Sequence, residues 1–241
     1  MASGGDKKLW AGPRRPLAAA LVVVLLVVVG LIHWNRPGLE RFPVRGIDVS
    51  HHQGAIEWPR VAAANIHFAF IKASEGGDHL DTRFEENWRE ADKARVVRGA
   101  YHFFTFCTPG EVQADHYLDV VPPALDVLPP AVDIEFAGNC KAWTSVEDIR
   151  RELRVLLSRL EAAWGRPPVL YLTSESEERI VRGHFDEFPV WIRSVFFRPG
   201  GPNPTWLFWQ YTDEGEIPGI ETPVDLNVYR GERDELAALL R

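Results

Sequence analysis

Short runs in which apolar and polar residues alternate recur along most of the chain, separated by loops rich in glycine, proline and charge. Alternation with a period of two is the mark of a half-buried strand, and apolar residues every three or four positions mark a helix. Gly46-Ile47-Asp48-Val49-Ser50 reads as a first strand, His67 to Gly76 as a second running into a polar loop, and Val97 to Phe106 as a third. Pro130 to Phe136 reads as a fourth and Val169 to Thr173 as a fifth. Helical stretches fall between them: Pro59 to Asn65, a stripe through Phe84, Trp88 and Ala91, Pro109 to Val121, and a short helix from about Glu175 to Arg182. The longest carries Val146, Ile149, Leu153, Leu156, Leu157 and Leu160 on one face behind a capping box at Thr144-Ser145-Val146-Glu147. Beyond it the pattern changes. Phe188 to Arg193, Thr205 to Tyr211 and Val224 to Tyr229 read as strands joined by Gly/Pro-rich loops, before a closing helix over 232–240.

Five strand–helix units followed by three strands predict an α/β protein with a compact, TIM-like (β/α)5(β)3 barrel; an open parallel sheet of seven or eight strands is the competing architecture. A different pattern precedes it. A basic tail over 1–15, with Lys7, Lys8, Arg14 and Arg15, leads into an apolar run that fits a transmembrane anchor over 16–34, or a secretory signal peptide. The sequence after the run offers no small-x-small cleavage site, and Trp34 suits a membrane interface, so an uncleaved anchor is the expectation. Residues 35–45 form a linker and 46–241 the barrel. Either reading of the apolar run exports the barrel, membrane-anchored or secreted.

Charge sharpens this division. The net charge of −7 conceals seven Lys/Arg against two Asp/Glu in residues 1–45, leaving 20 against 32 in the remainder. So acidic a domain argues against a nucleic-acid partner. The two cysteines, Cys107 and Cys140, each follow a predicted strand. If those strands are parallel neighbours, the thiols meet at one sheet edge and a disulfide suits an exported domain; two unpaired small residues are the alternative. No metal spacing accompanies them, and the adjacent His51 and His52, expected to point apart on a loop, have no H-E-x-x-H partner. No metal and no cofactor is expected.

The fourth strand carries the candidate chemistry. In Val132-Asp133-Ile134-Glu135-Phe136, residues two apart on a strand share a face, so both carboxyls address one pocket. When one of two such neighbours is ionised it opposes charging of the other, whose pKa rises toward that of a general acid. A strand with a solvated acidic face is the alternative. In a closed barrel the first and eighth strands are neighbours, so Asp48 and Asp225 join Asp133 and Glu135 at the C-terminal mouth.

These residues resemble the family 25 glycoside hydrolases, lysozymes of the muramidase type. The resemblance rests on Gly46-Ile47-Asp48-Val49-Ser50 with Gln53 and Trp58, on Phe70 to Gly76, and on Gly99-Ala100-Tyr101-His102-Phe103. Val132-Asp133-Ile134-Glu135, Trp209-Gln210-Tyr211-Thr212 and Val224-Asp225-Leu226-Asn227 come next, in the family's order. It implies a (β/α)5(β)3 barrel that cleaves the β-1,4 bond between N-acetylmuramic acid and N-acetylglucosamine in peptidoglycan, acting as a monomer. Glu135 would be the general acid. Asp133 would be its ionised partner and would orient the substrate's 2-acetamido group, with Asp48 and Asp225 completing an acidic ring. Tyr101, Lys72, Tyr171, Trp191, Trp209 and Gln210 are candidates for sugar contacts. An N-acetylglucosaminidase or chitinase-like activity, and a non-catalytic peptidoglycan-binding module, are the competing functions.

Overall fold

A computed structural model of the chain describes residues 19–25, 30, 37–38, 40–140, 145–200 and 206–241. It divides into two units, residues 1–36 and 37–241. In the first, residues 19–25 are helical, with Leu21 to Leu25 exposed. Most of the expected anchor over 16–34 lies outside the described residues. Among those described, no helix is long and apolar enough to cross a membrane.

Among the described residues of the second unit eight strands close a ring. They are β1 (Arg45–Val49), β2 (Phe68–Glu75), β4 (Val97–Phe103), β5 (Ala131–Ile134), β6 (Val169–Leu172), β7 (Val190–Arg193), β8 (Trp206–Gly215) and β9 (Val224–Tyr229). A two-residue strand that alternation does not predict, β3 (His79–Leu80), folds back antiparallel on the end of β2. The ring closes because β1 pairs with both β2 and β9. Helices α1 (Trp58–Ala63), α2 (Phe84–Lys93), α3 (Gly110–Val120) and α4 (Val146–Trp164) connect the strands from β1 to β6, and a short helical stretch over 174–181 comes after β6. Among the described residues the last three strands have no helix between them, as the change of pattern after residue 182 predicts. Helix α5 (Arg233–Ala238) ends the unit.

Two details depart from the pattern of the sequence. The cap of α4 is one residue later than expected: the Ser145 hydroxyl accepts from the Asp148 amide at 3.1 Å, and the Asp148 carboxylate takes up the Ser145 amide. Strand β9 runs antiparallel to both its neighbours. The β8–β9 connection is therefore a hairpin loop at the mouth, and Asp225 lies at the beginning of its strand, level with the ends of the others.

The ring has an aromatic interior and an aliphatic exterior. Phe68, Phe70, Tyr171, Trp191, Phe208 and Tyr229 point inward, whereas Ile47, Ala69, Ile71, Val132, Ile134 and Leu170 pack outward against the helices. Large rings fit inside so small a barrel because glycines face them. A Cβ on Gly46 would lie 2.3 Å from the Phe68 ring, and one on Gly99 2.8 Å from that of Phe70. The interior is filled to just below the mouth, where the inward positions become polar: Asp48 after Gly46, Lys72 after Phe70, Asp133 after Ala131, Gln210 after Phe208.

Candidate active site

The period of the strand brings the acids together. Asp48 and Asp225 stand opposite one another in the β1–β9 ladder, and Asp133 leans in from β5. Glu135 lies one residue beyond the end of β5, where the chain leaves the sheet. Their shared environment is visible in their mutual influence: the Asp225 carboxyl hydrogen-bonds Asp48, and its charge bears on Asp133 and Glu135.

Asp48 is almost wholly buried yet well supplied with donors. The Gln210 side-chain amide donates to its two oxygens at 3.2 and 3.0 Å, and that of Asn227 to one of them at 2.7 Å. Burial pushes its carboxyl up to about 6, held back by the hydrogen bonds from Asn227, Gln210 and Asp225. Asp225 is pushed higher, to about 9, by burial and then by the charge of Asp48 facing it. Of these two the proton therefore resides on Asp225, which donates to the Asp48 carboxylate. The donors are themselves fixed: Gln210 Oε1 accepts from the Tyr171 hydroxyl at 3.0 Å, and Asn227 Oδ1 from the Trp191 indole at 2.7 Å.

Asp133 and Glu135 differ. Asp133 Oδ1 is buried without a hydrogen-bond partner. Burial, and next the Glu135 charge, hold its carboxyl well above the usual carboxylate range, with Lys72 opposing. Glu135, nearer the rim, is raised by burial and drawn back by Arg193 and Lys72. Against the expectation of an ionised Asp133 beside a protonated Glu135, in the structure burial raises both carboxyls, and Asp133 Oδ1 lacks the donors that would favour its charge.

The other predicted contacts divide. Tyr101 and Tyr171 border the acids; burial, and after it the acids' charges, push both phenols upward. Lys72 points into the same space and pairs with Glu75 at 2.7 Å, its ammonium 5.1 Å from the Phe103 ring centre. Trp191 is buried at 1% exposure, stacked on Phe70 at 4.5 Å, and forms the floor rather than the wall. Trp209 does not belong to the site. Since Phe208 and Gln210 face inward, Trp209 faces out, packed against Phe42 and Trp206 and donating to the Ser194 carbonyl.

The loops around the mouth are tied by residues to which the sequence pattern gives no role at the mouth. Asn227 belongs to a quoted motif, but its place beneath Asp48 results from the antiparallel register. Buried His102, lowered to about 4 mainly by burial, lies against Ser74 at 2.9 Å and Gln113 at 3.1 Å. Gln113 also holds the loop after β4, accepting from the Thr105 amide and donating to the Thr105 and Thr108 carbonyls. Gln53 caps the turn after β1 and donates to the Pro223 carbonyl. His51 and His52 do not point apart; their rings lie 4.0 Å from each other, and the Asp81 carboxylate holds His51 at 2.7 Å. Among the described residues no group of three or more His, Cys, Asp and Glu is placed to hold a metal. Cys107 and Cys140 form a disulfide, since β4 and β5 are parallel neighbours.

A cleft of about 340 Å³ opens beside the acids, between the ends of β5, β6 and β7, lined by Phe136, Thr173, Ser174, Arg193 and Phe196 among others. A mouth of four carboxyls with different proton affinities, walled by tyrosines and opening on a cleft, is equipped for acid-assisted hydrolysis of a polar polymer.

Comparison with known proteins agrees with this layout. The model of the glycosyl hydrolases family 25 matches residues 47–220. Protein YegX of Escherichia coli strain K12 is 34% identical over 205 residues, 83% of this chain and 74% of its own length. Lysozyme M1 of Streptomyces globisporus is 35% identical over 214 residues, 81% of this chain and 71% of its own. A family 25 glycosyl hydrolase structure from Bacillus anthracis superposes with a TM-score of 0.80 at 36% identity, covering 86% of this chain and 98% of that one.

Proposed function

This chain belongs to the family 25 glycosyl hydrolases, and from that premise we propose that it is a 1,4-β-N-acetylmuramidase whose general acid is Glu135. Glycoside hydrolysis is its chemistry, and the sugar polymer is peptidoglycan, the substrate class implied by a relative named as a lysozyme. The observation that carries the assignment of roles is the difference in surroundings between Glu135 and Asp133 on one strand end. Glu135 is only half-buried and is raised above the ordinary carboxylate range, chiefly by burial, so it can reach a glycosidic oxygen and give up a proton.

In the reaction the C1–O bond of the N-acetylmuramic acid unit breaks, and the departing oxygen of N-acetylglucosamine takes the Glu135 proton. Water then supplies a hydroxyl to C1 and returns a proton to Glu135. Asp133, deeper in the pocket, orients the 2-acetamido group of the sugar being cleaved, and we favour participation of that group at C1 over a direct displacement. Asp48, with its amide donors, and Asp225 hold sugar hydroxyls in place. Tyr101, Tyr171, Lys72 and Gln210 complete the walls, with Trp191 beneath.

The catalytic unit is 46–241, acting as a monomer outside the cytoplasm. The basic tail 1–15, the apolar segment 16–34 and the linker 35–45 would tether it. Supporting the tether are the hydropathy of the segment and the exposure of Leu21, Val22, Val23, Val24 and Leu25. Alkaline carbonate extraction of membranes should leave the full chain in the pellet; release into the supernatant speaks for a cleaved signal.

Mass spectrometry of soluble fragments from purified peptidoglycan tests the activity. Fragments ending in reducing N-acetylmuramic acid are expected from the wild type and not from Glu135→Gln. Reducing N-acetylglucosamine ends would instead indicate a glucosaminidase, and binding without release a non-catalytic module.

A further inference from the structure

Glu135 occupies an awkward position for a group that must be held still. The β5–β6 ladder ends at Ile134 opposite Leu172, so the main chain of Glu135 has left the sheet. Its carbonyl is taken up by a side chain instead: Asn139 Nδ2 donates to it at 2.9 Å. The same amide nitrogen donates to the Phe104 carbonyl at 2.9 Å. On the other side of the amide, Oδ1 accepts from the Phe106 N–H at 2.8 Å and from the Cys140 N–H at 2.9 Å. An asparagine amide offers two N–H donors and two lone pairs, and here all four are used on main-chain groups.

Those groups come from the two loops that leave β4 and β5. Gly138, at a φ of +73°, lets the chain turn back on itself after Phe136, and the Asn139 N–H bonds the Phe136 carbonyl at 3.3 Å. Immediately beside this amide, Cys107 and Cys140 join the same two loops covalently. The disulfide fixes where the loops meet. It lies five residues along the chain from Glu135, however, whereas Asn139 bonds Glu135 itself.

Resting on the reading of Glu135 as the acid, we propose that Asn139 is a positioning residue: its side chain fixes the main chain of Glu135 and so aims the carboxyl at the glycosidic oxygen. The disulfide is the outer part of the same clamp. Misplacing a catalytic group by about 1 Å costs on the order of 100-fold in rate. Loss of the amide should therefore reduce turnover without weakening substrate binding.

The test compares full-length wild type, Glu135→Gln, Asn139→Ala and Asn139→Asp on two substrates. One is soluble peptidoglycan glycan; the other is an aryl glycoside of its disaccharide, whose leaving group departs without protonation. Asn139→Asp keeps an oxygen for the Phe106 and Cys140 amides and removes the donor to Glu135, so it supports the loop if the alanine variant does not fold. Both Asn139 variants are expected to lower kcat on glycan by about 10–100-fold, with KM within about twofold, and to lose much less on the aryl glycoside. Equal losses on both substrates, as a smaller folded fraction would give, or no loss at all, overturn the proposal while an inactive Glu135→Gln leaves the acid assignment standing. A Glu135→Gln enzyme as active as wild type on glycan overturns that assignment instead, and the positioning role with it.

Discussion

The mouth of the barrel contains two pairs of carboxyls, and their surroundings are opposite. Asp48 and Asp225 face each other across an antiparallel ladder, and amides from Gln210 and Asn227 point at Asp48. Asp133 and Glu135 share one strand end, and a buried oxygen of Asp133 has no partner. Burial raises the acids in both places, but donors decide where the charge can rest. The first pair divides cleanly into a carboxylate and a carboxylic acid, a fixed arrangement suited to holding hydroxyls. In the second both carboxyls are raised by burial, and Glu135, nearer the rim than Asp133, is the one placed to pass a proton to a leaving group.

The comparison can be broken most severely at Glu135. Glu135→Gln should lower the rate of glycan cleavage by about 10²–10⁴-fold while wall binding persists, as sedimentation with purified peptidoglycan would show. Asn227→Ala attacks the supply of donors to the other pair. It strips a hydrogen bond from Asp48 and leaves the Trp191 indole without its acceptor, so chemical denaturation should report a loss of about 2–4 kcal/mol. Asp48 should then titrate above about 6, since the donor that lowers it most is gone.

Asp225→Asn sharpens the contrast through pH. The folded Asp225 holds its proton to about 9 against 3.8 for an ordinary aspartate, so between those values the folded state binds more protons than the unfolded one. Its stabilising contribution is complete below about 4 and is lost as pH rises through 9. The wild type should therefore lose stability between pH 6 and 9 by on the order of 1 kcal/mol or more relative to the asparagine variant, in which that slope flattens. Trp209→Phe should do least. It removes one hydrogen bond outside the barrel, costing about 1 kcal/mol, and leaves glycan cleavage within about twofold.

Much of this was legible in the chain. Alternation located all eight ring strands, and the D-x-E spacing located the second pair because a strand's period depends on nothing but the backbone. The disulfide could be expected from two cysteines placed after neighbouring strands. Strand direction could not, because alternation reads the same in both directions; the meeting of Asp48 and Asp225 was expected from a closed ring, but the antiparallel β9, and with it the place of Asn227 beside Asp48, was not. Trp209 was misplaced for a related reason. Trp209-Gln210 is one residue facing out and one facing in, and the phase is set by the barrel. The lack of donors around Asp133 was the furthest from reach, since it is a property of the folded interior and not of the local sequence.

The most direct test of the division of labour between the two pairs is the ratio of activity on peptidoglycan glycan to activity on the aryl glycoside, measured for Glu135→Gln and Asp48→Asn. A general acid matters for the natural leaving group and little for the aryl one, whereas a residue that holds the sugar matters equally for both. The ratio should collapse for Glu135→Gln and remain near the wild-type value for Asp48→Asn. A collapse confined to Asp48→Asn would place the acid on the other side of the barrel mouth and contradict the account.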